Sequence, residues 1–98
     1  MTGAAGVQRS VQVRIEGRVQ GVGYRAWAAD EARACGLRGW VRNRRDGVVE
    51  AVFAGPADVV AEMLARCADG PPAARVSSVV IIAEGVAADD GFSVLPTQ

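Results

Sequence analysis

Residues 11–25, VQVRIEGRVQGVGYR, contain a strand pattern, a glycine-rich loop and the start of a helix pattern. Valine and isoleucine occupy positions 11, 13 and 15 and alternate with polar residues, which is the period-two pattern of a half-buried strand. Three glycines follow at positions 17, 21 and 23, and tight loops use glycine because it adopts positive φ without strain. Apolar residues then recur at helical spacing up to Cys35. The segment therefore predicts a strand, a loop and a helix in that order.

A hairpin is predicted after the first helix. Trp40 and Val41 lie in a short apolar stretch that ends near Asn43. Asp46 and Gly47 then form an Asp-Gly pair, a strong signal for a tight hairpin turn. The returning stretch places apolar residues at positions 49, 51 and 53. These features predict two antiparallel strands.

A second helix and two further strands complete the pattern. The helix pattern begins at Pro56, where a proline fits the first turn, and ends before Gly70. A long apolar stretch around Val79 and Ile81 predicts a strand with these two side chains facing inward. Residues 92–94 predict a short edge strand.

The order of the elements is β-α-β-β-α-β, with an optional fifth strand. Amphipathic helices need a sheet face to cover, so two helices are expected to pack on one face of an antiparallel sheet. We predict an α+β fold with residues 1–9 as a loose leader and residues 10–96 as a single domain.

The composition excludes several kinds of active site. The chain of 98 residues has 11 acidic and 11 basic residues, no histidine, and arginine at every basic position. Without histidine or lysine it cannot form a Ser-His-Asp triad, a histidine metal site or a Schiff base. Cys35 and Cys67 are too few for a structural zinc site and are predicted to be buried apolar residues. We predict that the protein uses no metal and no cofactor.

Charge and hydropathy predict which partners the protein lacks. The formal net charge is zero, so no overall field attracts nucleic acid or an anionic membrane. The first ten residues lack the apolar core of a signal peptide, and no apolar run approaches the length of a membrane span. We predict a cytoplasmic protein with no nucleic-acid or membrane partner.

The loop before the first helix is suited to hold an anion. A loop that curls ahead of a helix turns several backbone N–H groups inward, and the helix N-terminus adds its positive dipole end. Arg25, in the first helical turn, can reach the same anion through its planar guanidinium. An ordinary strand–helix connection with a surface arginine also fits these residues. The spacing of Gly21, Gly23 and Ala26 formally matches a relaxed dinucleotide-binding fingerprint, but the following hairpin argues against a parallel βαβ unit.

Two stretches resemble the signatures of the acylphosphatases. Residues 15–25 carry I-x-G-x-V-Q-G-V-x-Y-R, similar to the first signature, and residues 39–49 carry G-W-V-R-N-x-x-x-G-x-V, similar to the second. The similarity continues to near Phe92. The family usually has phenylalanine or methionine where Tyr24 stands, so the hydroxyl in this chain needs a partner.

The resemblance implies the ferredoxin-like α/β sandwich and a monomeric enzyme. The expected reaction is hydrolysis of a small acyl phosphate to a carboxylate and inorganic phosphate, with phosphate also acting as an inhibitor. Asn43 is expected to orient the attacking water, although from the residues alone it also fits a cap of the hairpin. Phosphate binding is expected at the arginine and the loop amides: Gln20, Gly21, Val22, Gly23, Tyr24 and Arg25.

Two other functions fit the same order of elements. A module that keeps the phosphate site for recognition alone would need neither turnover nor Asn43. An RNA-binding sheet needs exposed aromatic residues on its central strands, and the predicted third strand offers only Phe53. Four arginines near the hairpin receive no predicted role: Arg38, Arg42, Arg44 and Arg45.

Overall fold

A five-stranded sheet and two helices make up the computed structural model, which describes residues 6–98. In chain order the elements are β1 (Gln8–Arg18), α1 (Tyr24–Ala34), β2 (Arg38–Asn43), β3 (Val49–Pro56), α2 (Ala57–Asp69), β4 (Arg75–Glu84) and β5 (Phe92–Val94). The order of strands across the sheet is β4-β1-β3-β2-β5. Within residues 6–98, no helix is both long enough and apolar enough to cross a membrane.

The predicted α+β fold is confirmed, with one difference in strand direction. β1 pairs antiparallel with β3 and β4, and β2 pairs antiparallel with β3. The optional fifth strand is present, but β5 runs parallel to β2. The sheet is therefore mixed. Residues 85–91 connect β4 at one edge of the sheet to β5 at the other edge.

Side chains from one face of the sheet and from both helices share a single core. Alternate positions of β1 and β3 point into it, as the period-two pattern predicts. The first helix contributes Tyr24 and three alanines, and the second contributes Val60, Met63 and Cys67. The fully buried members include Val11, Val13, Ile15, Ala28, Ala32, Val49, Ala51, Phe53, Val60 and Met63.

Two details differ from the sequence prediction. Val79 packs against the core as expected, but Ile81 is 40% exposed because β4 forms an edge of the sheet. β1 begins at Gln8, which pairs with Pro56 of β3, so positions 8 and 9 of the predicted leader belong to the sheet. Positions 1–5 of that leader lie outside the described residues.

Candidate active site

The loop between β1 and α1 presents backbone N–H groups at the start of the helix. Gly21 and Gly23 have φ values of 73° and 79°, a left-handed conformation that favours glycine. Gly23 is the N-cap of α1 and makes no side-chain capping bond. The N–H groups of the first helical turn therefore have no partner within the helix and are available to an anion. Val19 and Tyr24, both 1% exposed, anchor the two ends of the loop in the core.

Arg25 and the loop border one cavity of about 370 Å³. Arg25 lies in the first turn of α1, as predicted, and its Nη1 donates to the carbonyl oxygen of Leu95 at 3.4 Å. This contact is long for a hydrogen bond, so the guanidinium has donor capacity left for a ligand. The cavity is lined by Val19, Gln20, Gly21, Gly23, Tyr24, Arg25, Ala26, Asn43 and Val94.

Asn43 reaches the same cavity from the end of β2. Its backbone is held on both sides, because it pairs with Val49 in the sheet and its carbonyl accepts from the Gln98 N–H at 3.0 Å. Its Oδ1 is buried and has no hydrogen-bond partner within residues 6–98. A buried acceptor without a partner costs about 1 to 3 kcal/mol, and such groups in native proteins are often functional. The hairpin thus brings Asn43, with its buried and unpaired Oδ1, to the wall of the cavity.

Most of the predicted site residues come together at this cavity. Five of the six residues assigned to phosphate binding line it, whereas the Val22 side chain packs against the core. Three further residues, which were not predicted to belong to the site, also line the cavity: Val19, Ala26 and Val94. Val19 and Ala26 are near neighbours of the predicted site in the chain, so the loop motif carried a signal for them. Val94 had none, because it reaches the cavity only through the pairing of β5 with β2.

Tyr24 connects the loop to the end of the second helix. Its hydroxyl donates to the carbonyl oxygen of Cys67 at 2.7 Å, which gives a partner to one of the last carbonyl groups of α2. Its ring lies 5.3 Å from that of Trp27. Burial raises the pKa of the Tyr24 hydroxyl above its ordinary value of 10.0, and burial raises the pKa of the Cys67 thiol to about 12. Both groups are neutral at physiological pH.

Tyr24→Phe is expected to lower the free energy of unfolding by about 1 to 3 kcal/mol, because the Cys67 carbonyl loses its buried donor. Urea denaturation followed by tryptophan fluorescence measures this difference. The pKa of Tyr24 is higher in the folded protein than its ordinary value of 10.0 in the unfolded chain. The stabilising contribution of the neutral hydroxyl to the folded state is therefore complete below pH 10.0 and is lost as the pH rises further. The difference between wild type and variant should then shrink by about 1.4 kcal/mol per pH unit. Equal unfolding midpoints at neutral pH would contradict this role.

A charged network covers the opposite, open face of the sheet. Glu50 is only 7% exposed, and its carboxylate accepts from Arg42 Nε at 2.8 Å and from Gln12 Nε2 at 2.6 Å. Arg44 Nη1 lies 3.6 Å from the same carboxylate. Arg38 instead donates to the Ala88 carbonyl at 3.0 Å. Three of the arginines that had no predicted role therefore bond within the protein rather than at the cavity.

Comparisons with known proteins agree with the resemblance read from the two signatures. The sequence model of the acylphosphatase family matches residues 11–94. An acylphosphatase of Bradyrhizobium diazoefficiens is 57% identical over 93 residues, which cover 89% of this chain and 94% of that protein.

Two solved structures of acylphosphatases also match most of the chain. The Bacillus subtilis protein is 31% identical with a TM-score of 0.82, and the match covers 91% of this chain and 99% of that one. The Coxiella burnetii protein is 33% identical with a TM-score of 0.83, and the match covers 97% and 100%. Sequence and fold together confirm the resemblance, and this chain belongs to the acylphosphatase family.

Proposed function

We propose that this acylphosphatase hydrolyses small acyl phosphates with Arg25 and the loop amides holding the phosphoryl group and Asn43 orienting the attacking water. One observation carries the assignment. The loop, Arg25 and Asn43, whose Oδ1 has no partner within residues 6–98, all border one cavity. The N–H groups of residues 20–24 and the guanidinium supply donors to a phosphoryl group, and the side-chain amide of Asn43 positions the water.

Such a site suits the chemistry of an acyl phosphate. The leaving group is a carboxylate, which is a weak base and needs no general acid. The loose transition state spreads charge over the phosphoryl oxygens, where the loop amides and Arg25 stabilise it. The water oxygen forms a bond to phosphorus as the bond between phosphorus and the carboxylate oxygen breaks. The proton of the water passes to a phosphoryl oxygen, so neither Arg25 nor Asn43 has to change its protonation state.

The size of the cavity favours a small substrate. Its volume of about 370 Å³ accommodates a phosphoryl group and a short acyl group. Val19, Ala26 and Val94 form apolar parts of its wall, on which an uncharged acyl chain can rest. Inorganic phosphate, the product, fits the same donors and is expected to inhibit.

We also propose that the protein acts as a cytoplasmic monomer on a free small molecule, with no nucleic-acid or membrane partner. Its charges balance overall, and the arginines nearest Glu50 on the open sheet face are compensated by that carboxylate. Cys35 and Cys67 are both free thiols, which suits a reducing compartment.

Hydrolysis of benzoyl phosphate, followed by the loss of its absorbance, tests the activity and its independence of metal. The described residues that line the cavity offer amides, a guanidinium and a phenol, none of which is a strong ligand for a divalent cation. We expect the same kcat and KM with and without EDTA. A loss of activity in EDTA that added magnesium restores would contradict the mechanism. Hydrolysis no faster than in buffer would favour a phosphate-recognition module instead.

A further inference from the structure

The side chain of Gln20 joins the phosphate-binding loop to the hairpin that carries Asn43. Its Nε2 donates to the carbonyl oxygen of Arg44 at 2.7 Å and to that of Val48 at 2.9 Å. A primary amide nitrogen has two N–H groups, so both donors are used. The two acceptors lie at the base of the turn between β2 and β3, where the Arg44 N–H also donates to the Val48 carbonyl at 2.8 Å. Gln20 therefore binds the turn next to Asn43.

Among the residues that the structure describes, these two bonds are the direct hydrogen-bonded connection between the loop and the hairpin. The pairing of β1 with β3 ends at Ile15 and Val49, before the chain reaches the loop. Within residues 6–98, no backbone hydrogen bond links residues 19–23 to residues 43–48. The loop and Asn43 thus belong to separate segments, and the Gln20 amide links these segments directly.

We propose that Gln20 is a positioning residue for the hydrolysis, and that its side chain fixes the phosphate-binding loop relative to Asn43. The proposal rests on the function proposed above, in which the loop holds phosphorus and Asn43 aims the water. Attack in line requires the water to be placed accurately, and a displacement of about 1 Å can cost about a hundredfold in rate. The Gln20 bonds act between the two segments whose relative position sets that geometry.

The side chain does not serve phosphate binding itself. Both of its N–H groups are directed to backbone carbonyls, so neither is free to donate to a phosphoryl oxygen. Any part of Gln20 in phosphate binding comes from its backbone N–H, which every substitution except proline retains. Loss of the side-chain bonds should therefore slow the reaction much more than it weakens phosphate binding.

Gln20→Met tests this separation, because methionine keeps the length of the side chain and removes both donors. We expect kcat for benzoyl phosphate to fall about tenfold to a hundredfold, while the inhibition constant of inorganic phosphate stays close to wild type. Gln20→Glu, which places a carboxylate against two carbonyl oxygens, should lose at least as much and serves as a second variant. Gln12→Met is the matched control. It removes a part-buried hydrogen bond from a side-chain amide to Glu50 on the open face, and it should leave kcat nearly unchanged.

The outcomes separate positioning from general loosening. If kcat and phosphate affinity fall together, the loop has lost its structure and the proposal is wrong. If neither changes, or if Gln12→Met slows turnover as much, the proposal is also wrong. Introducing Gln20→Met into Asn43→Ala adds a further check, because a residue that acts through Asn43 should then have little additional effect. An Asn43→Ala enzyme with wild-type kcat would instead overturn the proposed role of Asn43 directly.

Discussion

Asn43→Ala is expected to lower kcat for benzoyl phosphate by about 10²- to 10³-fold while inorganic phosphate still inhibits at nearly the wild-type concentration. The substitution removes the one polar side chain that β2 brings to the cavity and leaves the loop and Arg25 intact. The backbone of residue 43 keeps its pairing with Val49 and its bond from Gln98, so the hairpin should keep its structure. Steady-state kinetics with phosphate as a competitor measure both effects.

Arg45→Ala is the matched control for this variant. Arg45 lies two residues further along the same turn, and its side chain is exposed and does not line the cavity. Its backbone N–H bond to the Gln98 carbonyl survives the substitution. We expect wild-type kinetics from Arg45→Ala. Comparable kcat values for Asn43→Ala and Arg45→Ala would contradict the proposed role of Asn43 in orienting water. Asn43 would then have only a structural role in the hairpin.

Arg25→Ala is expected to lose both turnover and phosphate inhibition, in contrast to Asn43→Ala. Each charge-assisted hydrogen bond contributes about 1.5 to 3 kcal/mol, and the guanidinium can make two to a phosphoryl group. Losing both corresponds to a fall of about 10²- to 10⁴-fold in kcat/KM. Arg25→Lys, which keeps the charge but not the planar fork, should fall between wild type and alanine.

Arg33→Ala provides the control on the same helix. Arg33 lies in the last turn of α1, and its guanidinium donates to the Phe92 carbonyl at 2.9 Å, away from the cavity. The Arg33→Ala variant loses this hydrogen bond but should keep wild-type phosphate inhibition and turnover. Phosphate inhibition of Arg25→Ala at the wild-type concentration would show that the loop amides alone hold the anion, which would contradict the role of Arg25.

Most of the fold was predictable because it depends on local patterns. Alternation in β1 and the Asp-Gly pair at residues 46–47 each determine an element without reference to the rest of the chain. The direction of β5 was not predictable, since three residues carry no signal for parallel or antiparallel pairing. The exposure of Ile81 depends on the place of β4 at the sheet edge, and alternation within one strand says nothing about that place.

The same distinction applies to the site. A motif predicts which residues belong to it, and only the folded chain shows which partners they bind. The two signatures pointed to Arg25 and Asn43 before the structure placed them at one cavity. The partners of Gln20 and Tyr24 lie more than twenty residues away in the chain, and no sequence pattern shows which carbonyl oxygens they will meet. Long-range side-chain bonds of this kind depend on the packing of whole elements.

The residues around the cavity also limit which groups could attack a reactive substrate. Nucleophilic catalysis uses a thiol, an amine, an imidazole, a carboxylate or an activated hydroxyl, and among the described lining residues only Tyr24 has any such group. Its hydroxyl is bonded to the Cys67 carbonyl, and its raised pKa keeps it un-ionised. Water is therefore the attacking group that this wall leaves available. On the proposed mechanism, the acyl phosphate is therefore hydrolysed in one step, without a covalent adduct that a second step would have to remove.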